Sequence, residues 1–380
     1  MRIIKSNILK LLTAALVFCL TGGNAVKAQE LLIPERWKSP LEPFRPLFSE
    51  DTLTICILGD IMMHSAQISN AERSDSSYDF KSYFHLLEDK IRKADIAVAN
   101  MEFTLSGEPY TGYPCFSAPD ALADYLAECG FDVFLAANNH IFDKGTKGAE
   151  RTIEIYRELK QNKGIRFTGI AGNDLELKNN NPLMLRFKGI SIALMNFTYG
   201  TNLGLGTHWP KTNYIGEKEK ITEAFDAARA NGADYIIALP HWGTEYRLKH
   251  SKEQEDFARW LSQQGADFII GAHPHVVQDI GMIDGTPVAY SLGNAVSNMS
   301  AANTQLELMA TIRIVRQTNG DLLAMPLESE YLWCSRPGGF NEYYTVVPVA
   351  EYIGKEELWA NSYDYDKMIS TYERVRKEIE

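Results

Sequence analysis

Three times this chain builds the same short device. GFDVFLAANNH (residues 130–140), GADYIIALPHWG (232–243) and GADFIIGAHPHVVQ (265–278) each open on a glycine and an aspartate, run through apolar residues and deliver histidine. Continuous Val, Ile, Leu and Phe without polar alternation is what a strand covered on both faces requires. A helical pattern precedes each run, over Pro119–Glu128, Glu217–Ala230 and Lys252–Gln264. Gly130, Gly232 and Gly265 fall just past those helices, where a left-handed C-terminal cap is expected. Strands alternating with helices in this way specify an α/β fold with helices packed over the sheet. In open sheets of that kind the functional crevice lies beyond the carboxyl ends of the strands. The histidines are therefore expected to converge.

The same alternation extends over most of the chain. In all, strands are expected at Leu53–Leu58, Ile96–Ala99, Val133–Ala136, Ile190–Met195, Tyr235–Leu239, Phe268–Ile270 and Val288–Ser291, and further helices at Tyr83–Lys93 and Gly148–Asn162. Leu306–Val315 and Tyr344–Val349 read as antiparallel additions. This defines one domain over residues 52–350, followed by a charged helical tail at 351–380 with a solvated face. Ahead of it, residues 29–51 are a Pro-rich extended leader. Residues 1–28 combine Arg2, Lys5 and Lys10, a short apolar run and the small residues before Gln29, the layout of a signal peptide cut after Ala28. A periplasmic or secreted location follows, with a retained N-terminal anchor as the alternative. Bulky Phe18 argues against lipidation at Cys19.

Cleavage there removes four basic residues and no acidic one, taking the net charge from −11 to −15. So acidic an exterior excludes nucleic acid as a partner, because phosphate backbones need clustered Lys and Arg. Cys56, Cys115, Cys129 and Cys334 remain, without metal-type spacing, and the sequence does not pair them.

The strand ends carry the chemistry: Asp60 after ICILG, Asn100 and Glu102 after IAVA, Asn139, His140 and Asp143 after VFLAA, His241 and Glu245 after IIALP, and His273 and His275 after FIIGA. Four of the eight histidines occupy these places. Taken singly, each has a bland explanation: Asn and Asp cap helices, and a lone His-x-His decorates a loop about as often as it ligates. Taken jointly, imidazole, carboxylate and amide oxygen suit one or two divalent cations such as Zn, Mn or Fe. His64, His85, His208 and His250 read as structural or solvent-facing.

LGDIMM, ANMEFTL, FSAPDALADYLAECGFDVFLAANNHIFDKG, PHWGTEY, GAHPHVVQ and YSLGN together resemble the CapA family of bacterial poly-γ-glutamate capsule synthesis proteins, from about Thr54 to Pro348. That family is similar in turn to the calcineurin-like metallophosphoesterases. The resemblance implies a metallophosphoesterase-like layered α/β sandwich, with helices covering a central mixed β-sheet system. It implies metal ligation by Asp60, Glu102 (bridging), Asn139, His241, His273 and His275, with His140 as general acid oriented by Asp143. Two departures stand out. The phosphoesterases carry Asp-x-His on the first strand, where this chain has Asp60-Ile61-Met62. They carry a bridging Asp, where this chain has Glu102. A weakly held second cation, or a mononuclear site, is the corresponding expectation.

The chemistry implied is hydrolysis by metal-activated water, with His140 protonating the leaving group. Glu245 and Tyr246 are expected to line the substrate pocket, Trp242 to wall it, and Arg336 to meet a substrate anion. The substrate expected is an anionic polymer or peptide-like chain, with capsule-synthesis proteins of the membrane as partners. Two alternatives remain: hydrolysis of phosphate esters or diesters, and a non-catalytic role in assembling a surface polymer.

Overall fold

The computed structural model describes residues 52–203 and 208–380. The signal-peptide and leader expectations lie outside the described residues. In chain order the first half contains β1 (Thr52–Ile61), α1 (Ser65–Ala71), α2 (Glu88–Lys93), β2 (Ile96–Met101), α3 (Asp120–Cys129), β3 (Val133–Leu135), α4 (Gly145–Lys163), β4 (Arg166–Thr168), β5 (Ile170–Ala171) and α5 (Asp174–Asn180). Next come β6 (Leu183–Phe187), β7 (Ile190–Thr198), β8 (Lys211–Thr212), α6 (Lys218–Ala230), β9 (Tyr235–His241), α7 (Lys252–Gln264), β10 (Phe268–Ile270), β11 (Ile280–Ile283) and β12 (Thr286–Ala289). The chain closes with β13 (Leu306–Arg316), β14 (Leu322–Ala324), β15 (Glu328–Ser335), β16 (Thr345–Pro348), α8 (Val349–Tyr352) and α9 (Ser362–Ile379).

These strands form two mixed sheets. The first runs β16-β15-β13-β1-β2-β3-β4, parallel from β1 to β4 and antiparallel on the β13 side. The second runs β11-β12-β10-β9-β7-β6, parallel through its four central strands and closed by antiparallel edges. Side-chain alternation along each strand sorts the core into layers. Leu53, Ile55 and Ile57 of β1 and Val98 of β2 meet Ile192 and Leu194 of β7, Ile237 of β9 and Ile270 of β10 between the sheets. The opposite face of the first sheet, with Cys56, Leu58, Ala97 and Phe134, packs on Leu122, Leu126, Ile153 and Tyr156 of α3 and α4. The outer face of the second sheet packs on Ile221 and Phe225 of α6 and on Phe257 and Leu261 of α7. The result is a helix–sheet–sheet–helix sandwich, as expected. Each fully buried Leu, Ile or Phe in such a layer is worth about 1.5–3 kcal/mol.

The repeated aspartate has a role its spacing did not disclose. Asp132 donates its own N–H to Ala97 O (2.8 Å) and accepts Ala97 N–H on Oδ2 (2.8 Å). Asp267 does the same to Ile236 (2.8 and 2.7 Å), and Asp234 to Ser191 (2.8 and 2.8 Å). Asp95, which lacks the glycine, clasps Thr54 (2.9 and 2.9 Å). Each aspartate thus closes a two-bond ring with the start of the neighbouring parallel strand. That fixes the register of four strand pairs at their amino ends, where a slip would move apolar side chains to the wrong face.

Antiparallel additions appear at Leu306–Val315 and Tyr344–Val349 as β13 and β16. Between them lies β15, unexpected because its first half, Glu328-Ser329-Glu330, is polar and only partly covered. The C-terminal segment is a charged helix, but not a free solvated one. Met368 and Val375 of α9 are fully buried beside Trp333 and Trp359, covering the inner face where the first sheet outruns the second. All four described cysteines are unpaired, and three are buried. Among the described residues, no helix is long and apolar enough to cross a membrane.

Asp132→Ala leaves the Ala97 amide without its acceptor and is expected to cost about 1–3 kcal/mol, read from chemical unfolding. Asp132→Asn, which keeps an acceptor oxygen, is expected to recover part of that loss. Equal stability of wild type and the alanine variant would show that the clasp holds nothing.

Candidate metal centre

At the carboxyl end of β1 the chain inserts one extra residue relative to β2: Ile57 stands opposite Val98, but Asp60 opposite Asn100. This bulge re-aims the strand end. Gly59 permits it, because a Cβ there would lie 2.0 Å from Gly293 O. Gly59 N–H donates to Glu307 Oε1 (2.8 Å) and Asp60 N–H to Gly293 O (2.9 Å). Asp60 is fully buried, accepting from Asn100 Nδ2 (2.6 Å) and from His273 N–H (3.1 Å).

Glu102 leaves β2 with no exposed surface, and neither carboxylate oxygen has a hydrogen-bond partner. Its neighbours are imidazoles of the second sheet: His241 Nε2 lies 3.5 Å from Oε1 and His275 Nδ1 lies 3.8 Å from Oε2. His275 Nδ1 also lies 3.4 Å from Asp60 Oδ2, and Asn139 Oδ1 lies 2.8 Å from His241 Nε2. His273 packs its ring 4.9 Å from that of His241, and its Nδ1 is buried without a partner. Asp60, Glu102, Asn139, His241, His273 and His275 thus meet at one point. Three overlapping groups have ligand atoms within 4.8 Å of one another: Asp60, Glu102 and His275; Glu102, His241 and His273; and Glu245, His273 and His275.

The donor chemistry fits a divalent cation. Leaving both oxygens of a buried carboxylate unpaired is costly, and a cation between carboxylates and imidazoles would satisfy them. Without a cation, a proton on His275 offsets part of the carboxylate charge, and it would have to leave for that imidazole to ligate a metal. Burial opposes charge on His275, but the carboxylates of Glu102 and Asp60 outweigh it and hold its pKa at about 9. Burial likewise opposes charge on Asp60, yet the hydrogen bond with His275 and the nearby imidazoles keep its carboxyl below the ordinary value. Burial, reinforced by His241 and His275, drives His273 well below the usual imidazole range, leaving it neutral as a ligand must be.

Beside this cluster, His140 Nδ1 donates to Asp143 Oδ2 at 2.6 Å, both side chains buried. Asp143 Oδ2 also accepts Phe116 N–H (2.7 Å), and Phe116 sets its ring edge-on to His140 at 4.6 Å. The pairing implied by the family resemblance is therefore present as a hydrogen bond. Its local cause is Asn138, which donates to Met101 O (2.8 Å) and accepts His140 N–H (3.0 Å). That clamp leaves Asn139 facing His241.

The expected pocket-lining residues divide. Glu245 and Tyr246 lie exposed at the rim, with the Tyr246 ring 6.2 Å from His275. Trp242 does not wall the site: it is buried under the second sheet, its indole N–H donating to Tyr290 O (2.8 Å). A bulky apolar ring next to a buried strand end gains more from the helix-facing core than from a wet cleft. The aromatic wall is Tyr199, half exposed and 4.6 Å from the His273 ring. Arg336 donates to Met299 O, and its Nε is buried without a partner. His64 stays structural: its Nδ1 accepts Asn298 N–H (3.3 Å), and burial lowers its pKa to about 4. Met62, where the phosphoesterases carry histidine, is buried in the helix-facing core. Sequence reasoning also missed Asn294, whose Oδ1 lies 2.9 Å from His275 Nδ1 and whose Nδ2 donates to His275 O (3.3 Å). The YSLGN motif was its signal.

Comparison with known proteins gives a match to the family model described as bacterial capsule synthesis protein PGA_cap over residues 54–299. The capsule biosynthesis protein CapA of Bacillus anthracis is 28% identical over 290 residues, 72% of this chain and 67% of that protein. The PGA biosynthesis protein CapA of Bacillus subtilis (strain 168) is 26% identical over 310 residues, 78% of this chain and 77% of that one. Among solved structures, the 5'-nucleotidase precursor from Thermus thermophilus aligns with a TM-score of 0.47 at 13% identity, over 86% of this chain and 59% of that one. A 5'-nucleotidase from Candida albicans aligns with a TM-score of 0.44 at 11% identity, over 86% and 57%. This chain spans less than two thirds of either nucleotidase.

Glu307, which holds the Gly59 amide, is fully buried, and burial raises its carboxyl well above the ordinary glutamate range. A folded pKa above the unfolded value of about 4.3 lends stability that is fully present below that value and drains as pH rises through it. Glu307→Gln is therefore expected to gain stability over wild type progressively from about pH 4.5 towards pH 8, measured as the difference between paired thermal melts. A difference that stays constant with pH contradicts this reading.

Proposed function

The chain belongs to the bacterial capsule synthesis protein PGA_cap family, and from that premise we propose that it is a metal-dependent hydrolase acting outside the cytoplasm on an anionic, peptide-like capsule polymer of the poly-γ-glutamate kind. One observation carries the reading. Six potential ligands from both sheets meet around a buried, unpartnered carboxylate, with a His–Asp pair beside them. A purely structural cation has no use for that pair.

Asp60, Glu102, Asn139, His241, His273 and His275 would hold one or two divalent cations. Bound there, the ions lower the pKa of water towards neutrality and supply the nucleophile. The remaining work belongs to side chains. With Nδ1–H committed to Asp143, His140 keeps its tautomer and ring orientation, so Nε2 is the atom that delivers a proton to the leaving amine. Asn139 is held by the clamp at Asn138, and His275 by Asn294. Tyr199 and Tyr246 offer exposed rings to a chain entering the cleft, and Arg336 is the candidate contact for a substrate carboxylate. So acidic a protein needs such local positive charge to accept a polyanion. The same donor set and the His140–Asp143 pair support phosphate ester or diester hydrolysis as the second reading.

Purified protein is expected to retain one or two equivalents of transition metal, and His273→Ala/His275→Ala to lose them, by elemental analysis. Metal-loaded protein given poly-γ-glutamate and, separately, a chromogenic phosphodiester is expected to cleave the polymer. His140→Ala should be slower by about 100-fold or more. Turnover of the ester alone transfers the assignment to the second reading. Silence on both with tight polymer binding replaces it with an assembly role.

A further inference from the structure

We propose that Glu245 is itself a metal ligand, a carboxylate that would join His273 and His275 in holding a cation from the solvent side. This rests on the metal-centre reading above and goes beyond it, since Glu245 otherwise belongs only to the rim.

The ligand groups overlap in a telling way. Glu102 is the carboxylate common to the group containing His275 and the group containing His241 and His273. Glu245 is the carboxylate that reaches both His273 and His275, one imidazole from each of those groups. Glu102 has no exposed surface, whereas Glu245 is exposed. The two acids therefore approach the same pair of imidazoles from inside and outside. His273 is nine-tenths buried or more, and its Nδ1 has no hydrogen-bond partner.

The backbone is built to keep Glu245 there. Tyr246 N–H donates to Pro274 O at 2.8 Å, clipping the residue after Glu245 to the residue between the two histidines. Seven described non-glycine residues have positive φ, and three fall on this clip: Tyr246 (+65°), His273 (+97°) and His275 (+58°). Non-glycine residues in that region are strained, and such strain persists where surrounding structure enforces it. Here Gln278 enforces it from behind, donating through Nε2 to Arg247 O (2.8 Å) and Lys249 O (3.3 Å). Among the described residues no basic side chain forms a salt bridge with Glu245, although Arg247 and Lys249 lie two and four residues further on; its side-chain partner is the neighbouring Tyr246 hydroxyl. An exposed acid held rigidly beside two imidazoles, and left free of cationic side chains, is placed for a cation from solution.

The test compares full-length wild type, Glu245→Gln and Glu245→Asp, stripped with chelator and titrated with Mn²⁺ or Co²⁺ against a chromogenic competitor. Glu245→Gln is expected to weaken at least one of the bound equivalents by about tenfold or more and to change the visible absorption of bound Co²⁺. Glu245→Asp should recover part of the affinity. The melting of the metal-free proteins should be unchanged, since the residue is exposed. Wild-type affinity and an unaltered Co²⁺ spectrum in Glu245→Gln overturn this inference and leave the metal centre standing. Failure of wild type to take up either ion overturns both.

Discussion

Two carboxylates without access to water sit at the heart of this molecule, and their charge has to be balanced. Asp60 and Glu102 both issue from the first sheet, and the imidazoles nearest their oxygens, His241 and His275, both issue from the second. Charge balance is therefore also what holds the carboxyl ends of the two sheets to each other. Asn196 of β7 adds a neutral tie at the same level, accepting Ala137 N–H (2.6 Å) and donating to Leu239 O (2.9 Å). Remove the acids or the imidazoles and the remaining set is left buried and uncompensated, the costly half of any buried ion pair.

Around that balance the loops are arranged by short-range polar bonds. The segment after β12 serves both sides: Gly293 O anchors Asp60, and Asn294 orients His275. Asn138 ties the end of β2 to the His140 amide, so that consecutive asparagines serve different purposes, one internal and one facing His241. The candidate acid, His140, is held by Asp143, whose position is fixed in turn by the Phe116 amide.

Much of this was legible in the sequence, for a physical reason. Parallel strands buried on both faces must be uninterruptedly apolar, so the ends of β1, β2, β3, β9 and β10 could be read directly, and with them Asp60, Glu102, Asn139, His241, His273 and His275. Antiparallel elements were less visible. The half-covered start of β15 has no apolar run, and α9 reads as a charged surface helix because only Met368, Thr371 and Val375 are buried. Trp242 was misplaced because adjacency to a candidate ligand says nothing about which face of the sheet a side chain takes. Tyr199, Asn294 and the acceptor role of the clasping aspartates depend on partners distant in sequence, which no local pattern encodes.

The aspartate clasps carry one more consequence. They lie at the amino poles of β2, β3, β9 and β10, while the candidate ligands lie at the carboxyl poles, a strand's length away. For strands of three to seven residues that separation is about 10–23 Å at 3.3 Å per residue. Strand alignment and the candidate metal ligands are thus assigned to opposite poles of the sandwich. Descendants of such a scaffold can trade, lengthen or reshape the mouth segments while the strands beneath stay in step.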